Sequence, residues 1–224
     1  MFGFDIAARR EDRLMADIGG PVGSGPVADC ATEGLLAGTT IATAMGWRPV
    51  EAISAGDQVL TFDNGLQTVI AVSRAPMPAR LPAFSRPVLV PAGALGNCAD
   101  MILLPDQNVM VESDAAERLF ADPFAILRAR DLVGLRGIEA ISGEALADVI
   151  TLHFDAHEVI HAEGGALVLA DADVPGAMTL EFLSSTRLPA PYSSYSGQTA
   201  RMIVSAMLDE DARLGEGWPA RPTA

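Results

Sequence analysis

Three histidines, His153, His157 and His161, stand four residues apart, and the chain has no others. On a helix this spacing would line one face with imidazoles, which with Glu158 could hold Zn²⁺ and define a metal-binding domain. The local sequence argues against a helix, because the stretch is β-branched and interrupted by Asp155-Ala156. Along one extended strand, residues four apart lie roughly 13 Å from each other, too far to share an ion. A turn at Asp155-Ala156 would bring only some of them together. The expectation is therefore no shared metal site. Thiol chemistry has two sources, Cys30 and Cys98. Two cysteines are too few for a disulfide framework, and they form no CxxC pair. Asp57 follows Gly56, where its carboxylate is expected to accept backbone N–H bonds and hold a turn.

Charge narrows the partners. The 224-residue chain has a formal net charge of −14, and all fifteen of its basic residues are Arg. Such a surface repels phosphate backbones and anionic membranes, so no nucleic-acid partner is expected. The excess of carboxylates serves solubility, since no acidic loop has Ca²⁺-ligand spacing. No run reaches the ~18 apolar residues of a transmembrane helix, so no membrane span is expected. The opening MFGFDIAARREDR lacks the apolar stretch of a secretory signal peptide. The expected compartment is the cytoplasm, or the exterior by a route that needs no such peptide. No cofactor is called for, and a protein partner of unidentified kind is expected.

Half of the residues are apolar but only 5% are aromatic, so Val, Ile, Leu and Ala must fill the core. Residues 1–28 read as a leader and linker, with mixed charges at Arg9–Arg13 and a flexible GGPVGSGP from Gly19 to Pro26. From Gly38 the pattern turns to β. Thr39–Ala44 reads as a strand, Met45-Gly46 as a turn, and Val59–Phe62 and Gln67–Ser73 as strands around Asp63-Asn64-Gly65. Pro76, Pro78, Pro82 and Pro87 make the next stretch a loop. Strands follow at Val88–Val90, Met101–Leu104, Val109–Val111, Val149–Phe154, Glu158–Ala162 and Ala166–Leu169. A helical turn or two is expected at Ala115–Phe120, and a strand running into a short helix at Ala125–Leu135. In Gln198–Leu214, Met202, Ile203, Ala206 and Met207 have helical spacing and predict an amphipathic helix. Many short strands with frequent turns, and no βαβ alternation, predict an all-β fold. The domain is placed at residues 29–171, with a C-terminal extension over 172–224.

The segment Gly34–Val69, GLLAGTTIATAMGWRPVEAISAGDQVLTFDNGLQTV, resembles the opening of Hint domains, the self-processing fold of inteins and hedgehog C-terminal domains. Those domains open with a nucleophilic Cys, a Gly-Thr, an Ile-x-Thr strand, a Gly turn, an apolar pair, and a Gly-Asp-x-Val-Leu turn and strand. Here Gly38, Thr39, Ile41, Thr43, Gly46, Val50, Ile53, Gly56, Asp57, Val59 and Leu60 match in order and spacing, without a gap. RPVLVPAGALGN at Arg86–Asn97 is similar to the corresponding stretch of bacterial Hint proteins. LLPDQNVMVESDAAERLF at Leu103–Phe120 resembles their Ser-Pro-x-His block, RARDLV at Arg128–Val133 the next, and LHFDAHEVIHAEG at Leu152–Gly164 the closing block. The resemblance spans about residues 34–165 and implies a Hint-like all-β fold with short helices.

The resemblance also implies a chemistry. The first Cys attacks the carbonyl that precedes it, and the resulting thioester is cleaved by a second nucleophile. The Ser/Thr-x-x-His block supplies the proton that the departing amide nitrogen requires, and the fold supplies proximity. This chain departs at each point: the Cys position is Gly34, the Ser or Thr position is Leu104, and the His position is Gln107. Gly lacks a side chain, Leu can neither donate nor accept a proton, and Gln is no acid–base catalyst. The resulting reading is a catalytically degenerate Hint module with a structural or interaction role. The alternative is self-cleavage by Cys30, whose CATEG mimics the motif start four residues early. His153 and His157 match the family pattern and read as remnants of its site or as core positions. The Asn97-Cys98 pair mimics an intein's end, but it lies mid-domain after Gly96, and a turn Asn beside a small buried thiol is expected. A partner would be sought at the leader and at Gln198–Leu214. Removal of 198–224 is expected to leave a folded domain.

Overall fold

The computed structural model describes residues 32–77, 86–142, 147–170, 172 and 192–215. The fold is all-β, built from short antiparallel strands, with two α-helices among the described residues. Its first hairpin joins β2 (Thr40–Thr43) to β3 (Gly46–Pro49) through Ala44-Met45, so the turn sits one residue earlier than the sequence predicts. Gly46 takes φ +91°, a conformation that costs glycine little. The Thr43 hydroxyl accepts from the Met45 N–H (3.1 Å) and donates to the Gly46 carbonyl (2.7 Å). The second hairpin joins β4 (Gln58–Thr61) to β5 (Gly65–Thr68) around Phe62-Asp63-Asn64, as its Asn-Gly predicts. Between the hairpins, Asp57 accepts from the Ser54 N–H (2.9 Å) and pairs with Arg48 (3.2 Å), the turn-holding role read from its position.

Two stretches differ from the sequence reading in the same way. Gln67–Ser73, expected as one strand, is broken: β5 ends at Thr68, and β6 (Ala71–Ala75) begins in another sheet. At the break the Val69 N–H donates to the Asp57 carbonyl and the Ile70 N–H to the His153 carbonyl, one bond toward each sheet. Likewise β12 (Val149–His153) and β13 (Glu158–Ala162) are not a hairpin. β12 pairs with β6 and with β1 (Leu35–Leu36), whereas β13 pairs with β2, β4 and β14 (Ala166–Ala170). Val69 and Phe154 are fully buried at these crossings, which explains why the chain turns inward there rather than folding back on itself.

The first sheet runs β11 (Glu139–Ala140), β7 (Val88–Val90), β8 (Met101–Leu103), β1, β12, β6. The second runs β10 (Phe124–Arg128), β9 (Asn108–Glu112), β14, β13, β2, β4, β5, with β3 beside β2. Their inner faces share one core that holds Ile41 and Val59 from the second sheet and Leu103 and Ile150 from the first. Helix α1 (Asp114–Phe120) begins where Ser113 accepts from the Ala115 and Ala116 N–H groups, a cap that satisfies otherwise orphan donors.

Helix α2 (Gly197–Leu214) belongs to this core. Ala200, Ile203, Val204 and Met207 join the main cluster, while Met202, assigned by spacing to the apolar face, is 49% exposed. Asp211 receives two hydrogen bonds from the Arg136 guanidinium, at 2.8 and 2.7 Å. Just before the helix, the Ile126 N–H donates to Ser193 and the Tyr195 N–H to Ile126, which covers the outer edge of β10. The apolar face of 198–214 is thus occupied by the chain's own core. Removing it would expose that core rather than leave it intact, contrary to the sequence expectation. No described helix is long and apolar enough to cross a membrane. Met207→Ala is expected to cost about 2–4 kcal/mol in denaturant unfolding, and Met202→Ala less than about 0.5 kcal/mol.

Candidate functional site

Gly34 leads into β1, the strand held between β8 and β12. Gln107 closes the turn in which the chain passes from β8 in the first sheet to β9 in the second. These residues lie far apart in sequence, yet the Gly34 N–H donates to Gln107 Oε1 at 2.9 Å. The Gln107 side chain is buried, and its Nε2 donates to the Asn108 carbonyl (3.1 Å) and the Leu169 carbonyl (2.9 Å). The turn is fixed by its backbone, with the Gln107 N–H on the Leu104 carbonyl (3.0 Å) and the Asp106 N–H on the Thr32 carbonyl (2.8 Å). Asp106 also pairs with Arg130 at 2.8 Å. Leu104 is fully buried in a satellite cluster with Leu36 and Val149.

The space beside Gly34 is closed. Its φ is +119°, a region that side-chain-bearing residues rarely adopt. A Cβ placed there would meet Val149 Cγ1 at 2.6 Å, Thr151 Oγ1 at 3.0 Å and the Ile150 carbonyl at 3.3 Å. The β1–β12 register pairs Leu35 with Ile150, which sets Thr151 opposite Gly34. What remains is a cavity of about 20 Å³ between Gly34, Gln107, Ile150, Thr151 and Leu169, room for about one water molecule. The arrangement holds the amide of Gly34 by a neutral hydrogen bond. Gln107 can fix that N–H but cannot protonate the nitrogen, because an amide has no proton-transfer capacity near neutral pH.

The histidines do not converge. His153 ends β12 in the first sheet, His161 lies in β13 of the second opposite Leu167, and His157 sits between the two strands. Among the described residues no three His, Cys, Asp or Glu side chains are grouped to hold a metal ion, so the metal-domain alternative loses its geometry. His153 is buried, with Nε2 2.9 Å from the Ser73 hydroxyl and Nδ1 lacking a partner among the described residues. This is the hydrogen-bonded core position read from the sequence. Burial lowers the His161 pKa below the usual imidazole value. Asn97 is the expected turn residue, donating to the carbonyls of Pro91 (2.9 Å) and Ala99 (2.7 Å) and accepting from the Leu95 N–H (3.0 Å). Cys98, expected to be buried, is exposed: its sulfur lies over Gly164, where a Cβ would come within 2.4 Å, and its other side faces solvent. Cys30 lies outside the described residues.

Two parts of the site escape sequence reasoning. Thr151 and Val149 fill the space at Gly34 only because of the β1–β12 register, and Ser73 meets His153 only because β6 joins the same sheet. Neither pairing leaves a spacing signal in the chain. Gly34→Cys is expected to lower stability by about 2 kcal/mol or more, from the positive φ and the Val149 overlap. Adding Val149→Ala is expected to return only part of that loss. Chemical denaturation of the two variants checks both statements.

The Hint domain family profile matches residues 33–167. Among solved structures, the bacterial intein-like domain from Clostridium thermocellum is similar at 16% identity, covering 62% of this chain and 99% of that one, with a TM-score of 0.47. The Msm DnaB1 intein splicing domain, solved bound with zinc, is similar at 14% identity over 61% of this chain and 98% of that one, with a TM-score of 0.40. The gp41-1 intein is similar at 13% identity over 62% and 97%, with a TM-score of 0.37. Comparison with curated proteins returns no match. The profile covers more than half of the chain and spans the paired sheets, Gly34 and Gln107, and the protein belongs to the Hint domain family.

Proposed function

We propose that this protein is a Hint module that no longer cleaves itself and that acts as a structural or interaction module. The observation that carries this reading is the Gly34–Gln107 pair. The position that the family gives to the nucleophile has no side chain and no room for one, and its partner position holds an amide bonded on three sides. Self-cleavage of the family's kind needs a nucleophile beside the preceding carbonyl and an acid for the leaving nitrogen. Leu104, buried among Leu36 and Val149, offers neither. The scaffold that would align such groups is intact, which favours retention for shape and surface over retention for chemistry.

The test is the intact mass of purified full-length protein, before and after incubation with dithiothreitol or hydroxylamine at neutral pH, since both cleave thioesters. A single unchanged mass for residues 1–224 is expected. A shortened species that begins at Cys30 and is absent from Cys30→Ala would establish self-cleavage by a displaced nucleophile. A break before Gly34, lost in Gln107→Ala, would show that the closed site still reacts. Either result overturns the proposal.

A further inference from the structure

An open groove of about 460 Å³ lies away from Gly34 and Gln107. It runs between the C-terminal half of α2 and the end of β9, where the chain enters α1. Its apolar lining comes from Leu95, Met110, Leu167 and Met207. At its edge stands Leu214, an apolar side chain left 73% exposed. Burying such a side chain against a partner removes apolar surface from water and favours association.

The charge around the groove is one-sided. Glu112, Asp114, Glu210 and Asp211 line it, against a single guanidinium, Arg136. Asp211 is held by Arg136, and Glu210 by Arg118. These two pairs fix the α2 wall. Glu112 and Asp114 on the opposite wall are exposed, and their carboxylates make no hydrogen bond or ion pair among the described residues. Ser113 between them is extended, at φ −154° and ψ 123°. Residues two apart in extended chain project to the same side, roughly 7 Å from each other. That spacing equals the spacing of alternate side chains in an extended partner segment.

We infer that this groove binds an extended, basic segment of a partner protein, in which two Arg or Lys residues at alternate positions face Glu112 and Asp114 and a neighbouring apolar side chain packs on Leu214. The inference rests on the interaction-module reading and gives that partner a chemistry. A second copy of this chain is a poor occupant, because two chains of net charge −14 repel. The alternating pattern also distinguishes a peptide from a free organic cation, which would engage one carboxylate and lack the second.

The test is fluorescence anisotropy with full-length protein whose intact mass has been verified, so that self-cleavage and failure to bind read out separately. The probe is a labelled peptide of alternating Arg and Leu, with an alternating Glu and Leu peptide as its control. Saturable binding of the basic peptide is expected, weakening as salt rises. Glu112→Gln with Asp114→Asn should reduce affinity at least tenfold, and Leu214→Ser several-fold. The charge-matched pair Asp148→Asn with Asp155→Asn, on exposed carboxylates elsewhere, should leave affinity within twofold. Thermal melts of all variants confirm that they fold. Equal weakening by the two double variants would mean attraction to net charge alone and overturn the assignment. So would binding of the acidic peptide, no saturation at millimolar protein, or competition by free arginine as effective as by the unlabelled peptide.

Discussion

One side chain ties the two sheets together at the point where they exchange strands. Gln107 accepts from the amide of Gly34, at the entry to β1 in the first sheet, and donates to the carbonyl of Leu169, in β14 of the second. Its third bond closes on the neighbouring Asn108. A buried amide with every bond satisfied is stabilising, whereas the same groups left unpaired cost about 1–3 kcal/mol each. The β8–β9 crossing, the position of β1 and the closed space at Gly34 therefore depend on one another. A residue that reached only one of these three partners would strand the other two.

Much of this was legible in the chain. The hairpin at Asp63-Asn64-Gly65 follows from local turn chemistry, and the Asp57 turn from the reach of a short carboxylate. The Gly34, Leu104 and Gln107 positions were found through the Hint resemblance, and the structure sets Gly34 and Gln107 within one hydrogen bond. Periodicity could not reveal which strands change sheet. Val69 and Phe154 are apolar residues at the ends of β runs, and a sequence does not distinguish a continued strand from a crossing. Cys98 was misjudged because thiols are usually buried, and only the nearness of Gly164 shows which side of its sulfur is covered. Met202 fits the helical spacing yet lies off the inward face of α2, because the helix turns Ala200, Ile203, Val204 and Met207 inward.

Helix α2 alters what the C-terminal segment can do. The face that made it a candidate for holding a partner is spent on the main core, and its Asp211 is spent on Arg136. The surface it still offers is its own wall of the groove, where its last turn ends in exposed Leu214. A segment that looks like an appendage by sequence position is thus part of the hydrophobic body and, at the same time, one side of an open groove.

A two-residue strand sets the order in which the molecule can assemble. β1 is two residues long, and it is held by β8 and by β12, more than a hundred residues further along the chain. The β2–β3 and β4–β5 hairpins close over a few residues and are free to form early. The first sheet, by contrast, cannot close until Val149–His153 arrives, and loop-closure entropy opposes that step throughout. On a ribosome, Leu35 can therefore meet Leu103 first, whereas Leu36 waits unpaired until Val149 is made, and the apolar edge it leaves open is the one most prone to wrong pairing.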